Sequence, residues 1–441
     1  MSRQHFGTDG VRGTVGQDPI TPSFMLHLGW AIGQQIGVGK QIVLGQDTRR
    51  SGDMIAAALQ TGLTTAGVHV QHLGCLPTAG VAWLTRTLQA DAGIVITASH
   101  NPYLDNGVKL FSASGDKLPD AAETAISAWL KQPIQLAPTR QLGRISTLTD
   151  AAARYTTFCQ TSIPVRLDGL RVILDCAHGA AYQIAPDVLH ALGAEVITFG
   201  TTPDGNNIND QVGATHPETL CTAMQQHQAD IGITLDGDSD RVMMADAQGR
   251  LHDGDGILYL LARAYQREQR LAGNLVGTVM TNMGLEVALR DQGIHLTRTQ
   301  VGDRYILERL VAQGWNLGGE PSGHIICRDQ TTTGDGIIAA LQVLAEIQMT
   351  GKSLADLIDY TAYPQQLKNV PLGTADTATV LAQAGPAVTA AEKALGTQGR
   401  VLLRASGTEP LLRVMVEGED TDQVAHWTNT LVAQIQQLVK P

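Results

Sequence analysis

The chain has 441 residues, more than one hydrophobic core usually serves, so two to four domains are expected. Hydrophobic residues make up 43% and charged residues 17%, which excludes a disordered chain; aromatics stand at only 4% beside 47 glycines, the balance of an α/β enzyme with a Val/Ile/Leu/Ala core. Net charge is -11, from 31 basic and 42 acidic residues, which argues against a nucleic-acid partner but not against a small anion held by a few placed arginines.

In chain order, Phe6-Gly7-Thr8-Asp9-Gly10-Val11-Arg12-Gly13 sets Arg12 in a glycine-bracketed turn that suits an anion contact. Residues 41–45 (QIVLG) are a short β-branched run that reads as a buried strand. A helical stretch follows and stops near Gly67, where apolar alternation resumes; glycine just past a helix is the expected stop before a strand. The same order recurs at 171–175 (RVILD) with Gly193 and at 276–280 (VGTVM) with Gly293.

Each unit then ends on a further strand and a polar loop: DAGIVITASHNP (91–102), ADIGITLDGDSDR (229–241) and WNLGGEPSGH (315–324). The pattern predicts duplication of one α/β unit, with chemistry in the loops beyond strand ends. Residues 363–441 differ, running from TAYPQQ through AVTAAEKAL and the strand pair RVLLRAS and LLRVMVEGED to a closing helix from about Val424. The predicted architecture is three similar mixed-sheet α/β domains (1–150, 151–250, 251–362) and a smaller C-terminal α+β domain (363–441).

The five scattered cysteines, without a C-x-x-C pair, argue against a disulfide framework or a structural zinc site. No apolar run approaches a membrane span and the first residues have no signal-peptide core, so the expectation is a cytoplasmic protein with no membrane partner. The sequence leaves oligomeric state open.

Four loops carry candidate chemistry. In Thr97-Ala98-Ser99-His100-Asn101-Pro102, the Ser99 hydroxyl needs activation to act as a nucleophile, which His100 and a nearby metal would supply; the string also suits a plain turn closing a strand. In Asp236-Gly237-Asp238-Ser239-Asp240-Arg241, three alternate carboxylates would repel unless a cation sits among them, and oxygen ligands without His or Cys suit Mg²⁺. A solvated acidic turn is the other reading.

Gly318-Gly319-Glu320-Pro321-Ser322-Gly323-His324 offers Glu320 and Ser322 to sugar hydroxyls or an amine and His324 to proton exchange, or is a glycine-rich turn. Arg404-Ala405-Ser406-Gly407-Thr408-Glu409-Pro410, with Arg413 after it, suits a phosphate cradle or a structural turn. Lys109 could move protons if its pKa is lowered, or be a solvated strand lysine.

Together, in this order and over essentially the whole chain, the loops resemble the α-D-phosphohexomutase family. The resemblance implies four domains around one central cleft and a phosphoserine at Ser99 with His100 alongside. It implies Mg²⁺ on Asp236, Asp238 and Asp240, with Ser99 completing the metal site and Arg241 beside it. It further implies a sugar-reading loop carrying Glu320, Ser322 and His324, and a phosphate loop carrying Arg404, Ser406, Gly407 and Thr408.

FGTDGVRG, VGDRYILE (301–308, with Arg304 a candidate substrate contact beside Arg12 and Arg413) and TTTGDGI (331–337) look like the bacterial branch acting on glucosamine phosphates. That branch usually reads G-E-Q-S-G-H, and Pro321 is a departure from it. The implied reaction interconverts glucosamine 6-phosphate and glucosamine 1-phosphate through a 1,6-bisphosphate, feeding amino-sugar nucleotide and cell-wall precursor synthesis. Catalysis would rest on Ser99, His100, Lys109, Arg241 and His324. Rivals are a mutase acting on glucose or mannose phosphates, a metal-dependent sugar phosphatase and a silent sugar-phosphate sensor.

Overall fold

A computed structural model describes residues 5–7, 10–373, 375–405 and 410–439. They divide into two compact units, one of residues 1–278 with 299–358 and the other of 279–298 with 359–441.

In the first unit the duplication is visible in the sheets. Strand Gln41–Gln46 lies parallel to His69–Cys75 on one side and to Ala92–Ile96 on the other, and Asp105–Ser112 then runs antiparallel to Ala92–Ile96. Arg171–Asp175 repeats this between parallel Glu195–Phe199 and Ile231–Leu235, with Val242–Asp246 antiparallel to the last. Leu275–Thr278 is parallel to Leu317–Gly319, which pairs antiparallel with Ile325–Cys327. Parallel strands covered on both faces are continuous apolar runs, and Ala92–Ile96 and Ile231–Leu235 are buried at every position.

The helix stops fall where glycine was expected. Helix Gly52–Thr65 ends ahead of Gly67 at φ 89° and helix Ile184–Ala191 ahead of Gly193 at φ 101°. In the first domain Leu59 and Leu63 of the former pack with Ile42, Leu44, Ile94 and Ile96 of the sheet.

All three candidate loops therefore occupy one topological position. Each connects the last parallel strand to its antiparallel neighbour, closing from Ile96 to Val108, from Leu235 to Val242 and from Gly319 to Ile325. The expected strand at 276–280 is shorter, ending at Thr278.

The second unit holds a three-stranded antiparallel sheet, with Leu411–Gly418 between Gln365–Pro371 and Gly399–Ala405. Helices Thr377–Leu395 and Thr421–Leu438 cover it, burying Val380, Ala391, Val424, Leu431 and Ile435 with Val370, Leu412, Val414 and Val416. The closing helix starts at Thr421, earlier than Val424, because Asp420 caps it by accepting from the N–H groups of Asp422 and Gln423. Strand Gln365–Pro371 went unread: it is an edge strand of mostly exposed polar residues with only Val370 buried.

Candidate active site

The acidic hairpin between Leu235 and Val242 brings single oxygens of Asp236, Asp238 and Asp240 to within 4.8 Å of one another, all three residues buried. This is no solvated turn. Burial first, then the charges of Asp240 and Asp238, push the Asp236 carboxyl up to about 8. Asp240 behaves oppositely: burial works against its ionisation, but Lys109, with His324 and Arg241, holds it well below the ordinary range. Arg241 is kept charged against burial by the same carboxylates, and its backbone N–H donates to Asp236 Oδ1 at 3.1 Å.

Lys109 is not a solvated strand lysine. It stands opposite Val95 in the antiparallel pair, 4% exposed, and its ammonium donates to Asp238 Oδ2 at 2.7 Å and Asp240 Oδ2 at 2.8 Å. Thr78 adds its hydroxyl to Asp238 Oδ2 at 2.6 Å. The other oxygens, Asp238 Oδ1 and Asp240 Oδ1, are buried and accept no hydrogen bond from described residues. Three buried carboxylates with oxygens within 4.8 Å, two of them keeping a buried oxygen that accepts no hydrogen bond from described residues, make a donor set that fits a hard metal ion.

Ser99 faces this cluster. Its hydroxyl donates to Asp236 Oδ2 at 2.7 Å and lies 3.4 Å from His100 Nδ1. Ser99 sits at φ 52°, a left-handed backbone that non-glycine residues adopt only where surroundings hold it. The hold is a set of residues that motif reading missed. Arg49 donates through Nη2 to the carbonyls of Ser99 (2.9 Å) and Asn101 (2.7 Å), and through Nη1 to that of Pro102 (2.7 Å).

Arg49 is buried against Asp47, which also accepts from Thr97, and Thr97 Oγ1 accepts from the Ser99 N–H. Asn209 binds the Ser99 carbonyl from the second domain. At Gly237 any Cβ would stand 2.6 Å from that carbonyl, so the two loops meet closely only because glycine is there. The available signal was position alone: Asp47-Thr48-Arg49 directly follows strand Gln41–Gln46, the kind of strand end where the other loops lie.

His100 is lowered to about 4 by burial and by the cationic Arg241 and Arg12, so its ring is neutral at pH 7 and both guanidinium charges act on this site. His324 is buried, its Nδ1 3.6 Å from Asp240 Oδ1 and its Nε2 3.7 Å from Asp303 Oδ2. Burial opposes its protonation, yet Asp240 and Asp303 raise its pKa overall.

Glu320 accepts from the Gly302 N–H at 2.9 Å, and the buried Ser322 hydroxyl has no hydrogen-bond partner among described residues. Arg304 is engaged elsewhere, in ion pairs with Asp120, with Glu123 at 3.6 Å and with Glu308 at 3.1 Å. In the second unit Arg404 and Arg413 stand directly opposite each other across the sheet. Burial and the Arg413 charge lower the Arg404 pKa, and neither Nε has a hydrogen-bond partner among described residues. Ser406, Gly407 and Thr408 lie outside the described residues.

The electrostatics have a measurable consequence. Without a metal, Asp236 carries a proton below about pH 8, so a divalent cation that binds the triad at pH 7 has to displace it. Calorimetric titration in buffers of different ionisation enthalpy is expected to give different heats. Apparent affinity should fall as pH drops below about 8, and Asp236→Asn should abolish the buffer dependence. Equal heats in every buffer for the unaltered protein would contradict the assignment.

Models of phosphoglucomutase/phosphomannomutase alpha/beta/alpha domains I, II and III match residues 3–136, 153–249 and 253–363, and that of the C-terminal domain matches 367–434. The phosphoglucosamine mutase of Nitrosococcus oceani is 52% identical, covering 100% of this chain and 98% of that protein. The phosphoglucosamine mutase of Thiobacillus denitrificans is 53% identical, covering 96% and 95%. Among solved structures, a phosphoglucomutase/phosphomannomutase family protein from Burkholderia thailandensis superposes with TM-score 0.84 at 23% identity, covering 100% of this chain and 98% of that one. The Aspergillus fumigatus N-acetylphosphoglucosamine mutase, solved with GlcNAc-6P and magnesium, shares the fold at TM-score 0.66 and 16% identity, covering 99% and 96%. Matched by all four domain models in order, this chain belongs to the phosphoglucomutase/phosphomannomutase family.

Proposed function

We propose that the chain is an intramolecular phosphotransferase that interconverts glucosamine 6-phosphate and glucosamine 1-phosphate through a phosphorylated Ser99 and a 1,6-bisphosphate. The observation that carries this reading is the Ser99 hydroxyl held 2.7 Å from Asp236 within the buried triad. The full-length relatives named phosphoglucosamine mutase support the amino-sugar substrate.

In the forward direction the Ser99 phosphoryl group passes to O1 of the sugar, and the resulting bisphosphate reorients. Ser99 Oγ then takes the 6-phosphoryl group and loses its proton. Asp236, Asp238 and Asp240, with Ser99 Oγ, would hold Mg²⁺, which offsets charge on the transferring group. Arg241 and Arg12 add fixed positive charge, pre-oriented and partly shielded from water.

Neutral His100, beside Oγ, keeps the serine loop free of a further cation. His324 and Lys109 are assigned the proton movements at the sugar hydroxyls, while Glu320 and Ser322 are assigned the hydroxyl and amine contacts. Arg404 and Arg413, whose adjacent charges repel, are assigned with Ser406, Gly407 and Thr408 to the non-reacting phosphate. Arg304, paired with three carboxylates, is assigned a substrate contact through the N–H groups those pairs leave over.

The deciding experiment gives Ser99-phosphorylated protein and Mg²⁺ the 6-phosphates of glucosamine, glucose and mannose in parallel. Fastest 1-phosphate formation from the glucosamine ester is expected. Equal or faster conversion of the others would move the protein to the glucose or mannose mutases, and free phosphate alone would make it a phosphatase. Ser99→Ala should incorporate no phosphate from labelled bisphosphate; persistent labelling would remove Ser99 from the mechanism. Arg49→Lys keeps the charge, but three ammonium N–H groups cannot serve Asp47 and all three carbonyls at once. It is expected to lower kcat about 10²-fold with little change in KM. An unaltered kcat would show that the serine loop holds its shape without the guanidinium.

A further inference from the structure

The segment Thr331-Thr332-Thr333-Gly334-Asp335-Gly336 contributes no group to the chemistry above, yet it is anchored to every domain of the first unit. Thr332 Oγ1 donates to the Gly115 carbonyl at 2.6 Å, on the turn leading to Lys117. The Gly336 N–H donates at 2.9 Å to the carbonyl of Ser239, inside the acidic hairpin. Asp335 caps helix Gly336–Thr350 through the N–H groups of Ile337 and Ile338 and accepts the buried Tyr155 hydroxyl at 2.6 Å. The segment is thus fixed on three sides.

Between those anchors, Gly334 lies flat against the His324 ring. A Cβ at position 334 would stand 2.4 Å from both Cε1 and Nε2 and 2.7 Å from Cδ2, distances real Cβ atoms do not show. Gly334 does not use left-handed backbone, so alanine is permitted there by the chain's own conformation, and the three atoms nearest its Cβ all belong to the imidazole. The ring's edges face Asp240 and Asp303, and Asp303 is itself ion-paired with Lys117. Two carboxylates set where the edges point, and the bare backbone of 334 sets the depth of the ring.

We propose that Gly334 is a positioning residue that seats the His324 imidazole at its working depth, and that the Thr331–Gly336 segment exists to hold that seat. This rests on the reading of His324 as a proton-moving group. An added methyl would push the ring about 1 Å to restore van der Waals contact, and a displacement of that size at a catalytic group costs about 10²-fold in rate.

The test compares wild type, Gly334→Ala, His324→Ala and the double variant, measuring kcat and KM for glucosamine 6-phosphate. Gly334→Ala is expected to lower kcat about 10²-fold with KM changed less than about threefold, and the double variant to be no slower than His324→Ala. Losses that multiply in the double variant, or an undiminished kcat in Gly334→Ala, overturn the proposal. If His324→Ala turns over like wild type, the proton role of His324 fails by itself. The seat is then read from carbethoxylation of His324 by diethyl pyrocarbonate, where a changed rate in Gly334→Ala supports it and an identical rate overturns it. If Gly334→Ala does not fold, recovery of folding in the double variant, where the ring is gone, supports the contact; failure of both overturns it.

Discussion

Three carboxylates whose oxygens lie within 4.8 Å cannot all stay ionised where water is excluded unless positive charge is brought to them. The rest of the first unit supplies that charge from separate pieces of chain. Lys109 arrives on the strand paired with Ala92–Ile96, Arg241 from the hairpin itself, and His324 from the third domain's loop. The cations packed directly against the triad, Lys109 and Arg241, are fewer than its three carboxylates, and without a metal, burial and the neighbouring Asp240 and Asp238 push Asp236 up to about 8. A divalent ion in that place reverses the sign of the cluster and makes it attractive to a phosphate dianion. The same imbalance that makes the metal-free site uncomfortable thus prepares it for its substrate.

Such convergence would be improbable for three unrelated loops, and the duplicated topology removes the difficulty. In each repeat a candidate loop follows the last parallel strand, so one rule places the Ser99 loop, the acidic hairpin and the Glu320 loop at equivalent strand ends. What the rule does not provide is precision. That comes from buried links between the loops, such as Arg49 and Asn209 on the Ser99 carbonyl and Gly237 beneath it. These links explain how Ser99 is kept in a left-handed conformation that its side chain alone would not favour.

The strands and their loops were legible because buried parallel strands leave apolar runs and because chemistry needs unusual letters after them. Asp236, Asp238 and Asp240 declared themselves by alternation between two apolar strands. Arg49 did not, since a lone arginine after a strand looks like any surface residue until its carbonyl partners are known. Lys109 was ambiguous for the same reason: only three-dimensional pairing distinguishes a buried ion-pair lysine from a solvated one. The polar edge strand Gln365–Pro371 lacked any periodic signal, having a single buried side chain.

Pro321 illustrates how a departure from a family pattern can be local in effect. The Gly323 N–H donates to the Glu320 carbonyl at 3.0 Å, so residues 320–323 form a tight turn with proline at its second position. That is the position whose φ the pyrrolidine ring pre-sets, and its missing N–H is not the one that closes the turn. The Pro321 carbonyl accepts from the Gly254 N–H, and the neighbouring Glu320 side chain accepts from the Gly302 N–H. Proline here removes an amide side chain and stiffens the loop, while the groups assigned to the sugar stay where a more flexible sequence would have to order them. Any change in sugar preference would then come from the lost amide itself, since the turn that presents Glu320 and Ser322 is one that proline favours.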